Sequence, residues 1–133
     1  KKKGGGCLWL VNKQWCTKVT VHRQYCSKDL ECRPHYPPRE INNNIVNLIL
    51  VYCAPGAEYK SCVNILEDVI DQCAIKHPDA ANIIVGDFNH VKLKYLNQYV
   101  DFPTRDDATL DLCYFNIRGA YKAYKTPAIG AKI

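Results

Sequence analysis

The stretch Ile45-Val-Asn-Leu-Ile-Leu-Val-Tyr-Cys53 constrains this chain most, because it is β-branched and apolar on both faces, interrupted only by Asn47. Such a strand needs cover above and below, which places it centrally in a sheet. Ala54-Pro55-Gly56 then stops it with turn-forming residues. Directly afterwards the period changes, and Cys62, Ile65, Leu66, Val69, Ile70 and Cys73 fall at helical spacing. That spacing predicts one buried stripe on an amphipathic helix from about Tyr59 to Lys76, with Glu67, Asp68 and Asp71 off the stripe. Ser61 is the expected N-cap and Pro78 ends the helix. Asn82-Ile-Ile-Val85 follows as a short buried strand running into Gly86-Asp87-Phe88-Asn89.

Around this strand, helix and strand the pattern is weaker. Residues 7–11 read as a strand, Asn12-Lys13 as a turn and residues 15–22 as the alternating partner of a β-hairpin. A third strand near residues 25–32 is cut short by Pro34, Pro37 and Pro38, which lack the donors a ladder needs. Residues 91–99 suggest a short helix, and residues 109–117 return to a strand carrying Leu110, Leu112 and Tyr114. The expected fold class is therefore mixed α/β (α+β), a twisted sheet with helices packed on it.

Composition narrows the class further. At 133 residues the chain fits a single domain. With 47% apolar and 23% charged residues it is neither a disordered tail nor a collagen. A net charge of +5 permits a polyanionic partner, although Lys1, Lys2 and Lys3 carry three of those charges. No apolar run approaches the ~20 residues of a transmembrane helix, and the cationic start leads into Gly4-Gly5-Gly6, unlike a signal peptide. The absence of Met suggests a fragment or a processed piece. Eight cysteines contain no C-x-x-C, so zinc patterns fail. Cys53, Cys62 and Cys73 stand where small apolar residues would serve, which favours reduced core thiols over the disulfide framework of a secreted protein.

Two stretches could carry chemistry. Val85-Gly86-Asp87-Phe88-Asn89-His90 sets a carboxylate and a carboxamide two residues apart where a buried strand emerges. A carboxylate there can hold a hard divalent cation or accept a proton from water, while the amide can orient a phosphate. The same Asp-x-Asn can equally be a turn that satisfies its own backbone. Thr104-Arg105-Asp106-Asp107-Ala108-Thr109-Leu110-Asp111-Leu112-Cys113-Tyr114 places Asp111 among apolar neighbours. An isolated buried carboxylate is disfavoured, so Asp111 either has a partner or faces outward on an edge strand.

An apolar strand ending Val-Tyr-x-x-Pro, an amphipathic helix, a strand into Gly86-Asp87-Phe88-Asn89-His90, then Pro103-Thr104-Arg105 and Thr109-Leu110-Asp111-Leu112-Cys113-Tyr114 form an ordered set. This set resembles the endonuclease/exonuclease/phosphatase family, and more narrowly the endonuclease part of LINE-type non-LTR retrotransposon polyproteins as found in fish genomes. Lys3-Gly-Gly-Gly6, Arg33-Pro34-His35-Tyr36, Pro38-Arg39-Glu40 and Gly119-Ala120-Tyr121-Lys122 are also similar to that subgroup, so the resemblance covers nearly the whole chain.

The resemblance implies a four-layer α/β-sandwich and Mg²⁺- or Mn²⁺-dependent hydrolysis of phosphodiesters, with DNA as the partner and no membrane. Carried over to this sequence, it makes Asp87 the water-activating or metal-binding carboxylate and Asn89 a contact to the scissile phosphate. Asp111 becomes the late-strand acid near the metal, and Tyr52 a phosphate-side donor or simply an aromatic at the end of a strand. Thr104 and Arg105 fall on the substrate-binding stretch. The resemblance also implies an intracellular, and more narrowly a nuclear, location.

Departures accompany the matches. Family members begin with a strand bearing an Asn and a metal-binding Glu, and close with Ser-Asp-His; neither is matched here. The expectation is therefore a partial domain over residues 1–133, lacking its N-terminal part and C-terminal strand. Its metal site would be incomplete, and as an enzyme it is undecided. A non-catalytic nucleic-acid-binding remnant and an inert relic are the alternatives, with self-association through an exposed sheet edge. Between Glu31 and Arg33 the resemblance implies several residues of core strand that are not present.

Overall fold

The computed structural model describes residues 7, 8, 10, 20, 21, 24–36 and 45–126. Among them the elements run β1 (Thr20–Val21), β2 (Tyr25–Cys26), β3 (Leu30–Tyr36), β4 (Val46–Cys53), α1 (Tyr59–Lys76), β5 (Ala81–Asp87), β6 (Asn97–Gln98) and β7 (Asp111–Phe115). The strands form one mixed sheet in the order β1-β3-β4-β5-β7-β6, with β2 also paired to β3. The doubly apolar β4 lies inside it, antiparallel to β3 and parallel to β5. Parallel neighbours need a crossover, and α1 supplies it.

Alternation along the strands separates two faces. Leu30, Cys32, Ile49, Val51, Cys53, Ile84, Leu112 and Tyr114 share one buried cluster with Cys62, Leu66, Val69 and Cys73 of α1. The helical stripe therefore packs as its spacing predicts, with Ile65 and Ile70 half-buried at its margins. The described residues thus show an α/β unit of one sheet with a helix on one face. Asn47 interrupts the apolar β4 because it lies opposite Asn82 on β5, and its Nδ2 donates to Asn82 Oδ1 at 2.7 Å inside the core. The seven described cysteines are free thiols, four of them buried; Cys16 lies outside the described residues. No helix among the described residues is long and apolar enough to cross a membrane.

Several sequence expectations are corrected. The cap of α1 is Glu58, not Ser61: its carboxylate accepts from the backbone N–H groups of Lys60 at 3.1 Å and Ser61 at 2.5 Å. A longer acidic side chain thus reaches the orphan donors that a serine cap would have served. Residues 91–96 form no helix, and the chain pairs as β6 at Asn97–Gln98. Val91 and Leu93 are buried while Lys92 and Lys94 are exposed. The Leu93 N–H donates to the Tyr114 hydroxyl, so that backbone donor is spent on tertiary contact and not on a helical ladder.

Strand β3 runs through Pro34, which stands opposite Ile49. On its other edge β3 pairs with β1 at His35 and Tyr36 and with β2 at Glu31 and Cys32, so Pro34 falls at the break between them. A missing donor costs nothing where no strand asks for it. The shortening implied between Glu31 and Arg33 leaves β3 continuous. Of the expected N-terminal hairpin, Cys7, Leu8 and Leu10 are outside any strand, and Thr20–Val21 pairs as β1 with β3. The remainder of that hairpin lies outside the described residues. Strand β7 is shorter than residues 109–117, because Thr109 and Leu110 belong to the preceding turn and the Asn116 amide turns back to Ala80.

Candidate functional site

The carboxyl ends of β4 and β5 lie side by side with the start of β7, and open α/β sheets place ligands beyond such ends. Gly86 makes this convergence possible. Its φ is +150°, and an added Cβ would run into the Val51 carbonyl oxygen of β4. With no side chain there, β5 closes on β4 and the next residue, Asp87, stands beside Tyr52.

Register then assembles a row across the sheet face opposite α1. Glu31 lies opposite Tyr52, Tyr52 opposite Asp87, and Asp87 opposite Asp111. Directly opposed residues of an antiparallel pair hold their Cβ atoms ~4.5–5.5 Å apart, a distance at which like charges repel. Asp87 and Asp111 therefore call for a cation, and Arg105 provides one. Its Nη2 donates to Asp87 Oδ2 at 3.0 Å. The guanidinium pKa is raised, first by that hydrogen bond and then by the Asp87 charge, with Asp111 and Asp106 adding to it.

The backbone holds each partner in place. Asp87 Oδ1 accepts from the Asn89 N–H at 3.2 Å, closing an Asx-type turn in which Asn89 has φ +50°. The Asn89 amide Nδ2 donates to the Cys53 carbonyl at 2.6 Å, tying this turn to the end of β4. Phe88 anchors the turn from below: it is fully buried, meets Tyr114 edge-on at 5.2 Å between centroids, and donates its N–H to Leu110. The Asp-x-Asn motif is thus a self-satisfied turn and a carboxylate-presenting element together.

Across from it, Thr104 Oγ1 accepts from the N–H groups of Leu110 and Asp111 at 3.1 and 3.0 Å. Arg105 and Ala108 exchange backbone hydrogen bonds around Asp106, whose φ is +51°. Thr104 accordingly holds the turn that aims Arg105 at Asp87. Beneath the site the Cys53 thiol is pushed up to about 12 by burial first, and then by the charges of Cys62 and Asp87.

No family model, curated protein or solved structure matches this chain.

The sequence-predicted residues Asp87, Asn89, Asp111, Thr104 and Arg105 converge, and Tyr52 lies beside them, half-buried. Asp111 takes the outward-facing of its two expected settings, on a stretch of β7 whose outer edge is unpaired among the described residues. It is half-buried at the start of β7, not enclosed within an apolar strand, and β6 pairs only with Tyr114 and Phe115 farther along. His90 stays out of the site, its Nε2 bonding the Ala57 carbonyl at 2.9 Å. Glu31 is the residue that sequence reasoning missed. Its place in the row follows from the β3–β4 register, and its Oε1 accepts from Arg33 Nε at 2.5 Å. Its sequence neighbours carry no signal of that pairing.

Among the described residues no three metal-ligating side chains cluster. The donors present nevertheless suit Mg²⁺ in kind, since that ion commonly takes one or two carboxylates and completes its shell with waters and substrate phosphate. Asp87 and Asp111 are the residues that would hold it.

Proposed function

We propose that this chain carries part of a phosphodiester hydrolase site of the metal-dependent endonuclease type, acting on DNA, on a four-layer endonuclease/exonuclease/phosphatase sandwich. The observation that carries this reading is the cross-strand pairing of Asp87 with Asp111 beneath the Arg105 guanidinium. Two opposed carboxylates beside a planar guanidinium, bound to Asp87 through Nη2 alone, favour a hard divalent ion on one side and a phosphate oxygen on the other. The bound ion would neutralise charge developing on the phosphorus. Asp87 would hold it or accept a proton from the attacking water. Asn89, already fixed by Cys53, would orient the phosphate with Arg105, and Tyr52 would add a hydroxyl from the neighbouring strand end.

His90 is held at the Ala57 carbonyl, so the residues brought together here are those of phosphate and metal binding. The +5 charge also suits a non-catalytic nucleic-acid-binding role, in which affinity falls steeply with salt.

Supercoiled plasmid incubated with the protein and Mg²⁺ or Mn²⁺, beside an Asp87→Ala variant, tests the catalytic form. Nicking by the parent chain that disappears in the variant is the outcome expected of a working site. Equal conversion by both proteins, or none, would leave phosphate and metal binding as the function to measure.

A further inference from the structure

Both oxygens of Asp87 are already engaged. Oδ1 accepts from the Asn89 backbone, and Oδ2 carries Arg105 Nη2 at 3.0 Å. The first contact belongs to a rigid turn, whereas the second comes from a side chain that is 51% exposed. Exposed ion pairs hold weakly and are easily exchanged for another partner. Arg105 is thus the one movable cap on the carboxylate that the proposed function assigns to a metal.

We infer that Arg105 is a positioning residue that couples phosphate binding to metal binding. With no phosphate present it neutralises Asp87 and competes with a divalent cation for Oδ2. A phosphodiester arriving beside Asn89 draws the guanidinium away, because a phosphate accepts the same two-pronged donor set. Asp87 then turns from ion-pair partner to ligand, and its repulsion with Asp111 favours cation entry. The turn holding Arg105 stays in place, since Thr104 and the Arg105–Ala108 hydrogen bonds fix its backbone while leaving the side chain free to swing. Because binding linkage is reciprocal, metal and phosphodiester each tighten the other by the same factor.

This inference rests on the metal reading above, and a binding experiment separates the two. Free Mn²⁺ is followed by electron paramagnetic resonance with and without a ten-residue phosphorothioate oligothymidylate. The proteins are the parent chain, Arg105→Ala, Arg105→Lys, Asp87→Asn and Lys92→Ala. Lys92 is an exposed lysine whose Nζ donates to the Thr109 carbonyl at 3.5 Å, and its variant controls for the loss of a positive charge that does not pair with Asp87. Circular dichroism of each protein confirms an unchanged fold.

The expected result has three parts. Arg105→Ala binds Mn²⁺ about fivefold more tightly than the parent without oligonucleotide, and Lys92→Ala stays within about twofold of the parent. Oligonucleotide tightens Mn²⁺ binding by the parent about fivefold more than it tightens binding by Arg105→Ala, which keeps only the direct contact of phosphate with the ion. Arg105→Lys shows reduced coupling, because its single-point charge cannot bridge as the fork does. Asp87-dependent Mn²⁺ binding that ignores Arg105, or equal coupling in parent and Arg105→Ala, overturns the inference alone. Mn²⁺ binding indifferent to Asp87→Asn overturns the metal reading and the inference with it.

Discussion

The two faces of the sheet are built from the same strands and obey different rules. On the α1 side, Ile49, Val51, Ile84, Leu112 and Tyr114 pack against Leu66, Val69 and Cys73 and bury apolar area, with the Asn47–Asn82 pair satisfying one hydrogen bond among them. On the opposite side, the row Glu31, Tyr52, Asp87 and Asp111 gathers groups that repel one another or seek polar partners. One face stabilises the fold. The other spends part of that stability on a charged arrangement held by Arg105 and by two turns. Gly86 belongs to both, since its missing side chain joins the core strands and sets Asp87 in the row.

The contrast breaks most completely at that glycine. In Gly86→Ala the added methyl meets the Val51 carbonyl, in a backbone conformation that L side chains rarely adopt. A loss of about 3 kcal/mol or more is expected in urea denaturation, together with loss of any Mn²⁺ binding, since both faces depend on the β4–β5 closure. Leu66→Ala strikes the helix-covered face alone, removing a fully buried side chain at a cost of about 3 kcal/mol. Mn²⁺ affinity should survive wherever that variant remains folded. Simultaneous loss of binding in the folded protein would show that the faces are less separable than their packing suggests.

The covered face also predicts a pH response. Burial pushes the Cys32 and Cys53 thiols up to about 12. Their raised folded-state pKa values favour the protonated form, so the stabilisation is fully present below the ordinary value of 9.0. It is lost as pH climbs from there toward 12. Each thiol should contribute a fall of about 1.4 kcal/mol per pH unit in that window. Urea midpoints at pH 8, 9.5 and 10.5 check the slope, and Cys32→Ala should flatten it. The smallest effect belongs to the charged face. Asp111→Asn removes one of two opposed carboxylates and should raise stability by about 0.5 kcal/mol while weakening Mn²⁺ binding, as expected where function is held against repulsion.

Much of the fold was legible beforehand, because period is a local property. The apolar run of β4, the i, i+3, i+4 stripe of α1 and the start of β5 each announce themselves within a dozen residues. Where partners decide, the local signal failed. Residues 91–96 have helical-looking spacing, yet Leu93 gives its N–H to Tyr114, and β3 tolerates Pro34 because the sheet edge is broken there. The candidate residues Asp87, Asn89, Thr104, Arg105 and Asp111 stood in two motifs 15 residues apart, between Asn89 and Thr104. That those motifs meet was an expectation of family resemblance and not of spacing.

The order of strand, helix and strand, the buried stripe and the identity of the acids belong to the amino-acid sequence alone, since side-chain size and polarity repeat at fixed periods along the chain. Strand register belongs to the tertiary structure. It set Asp111 against Asp87, brought Glu31 into the same row and placed Arg105 on Asp87 Oδ2. A shift of one residue in any pairing would turn these groups to the other face, so only the packed sheet, with Gly86 against Val51, could choose among the alternatives.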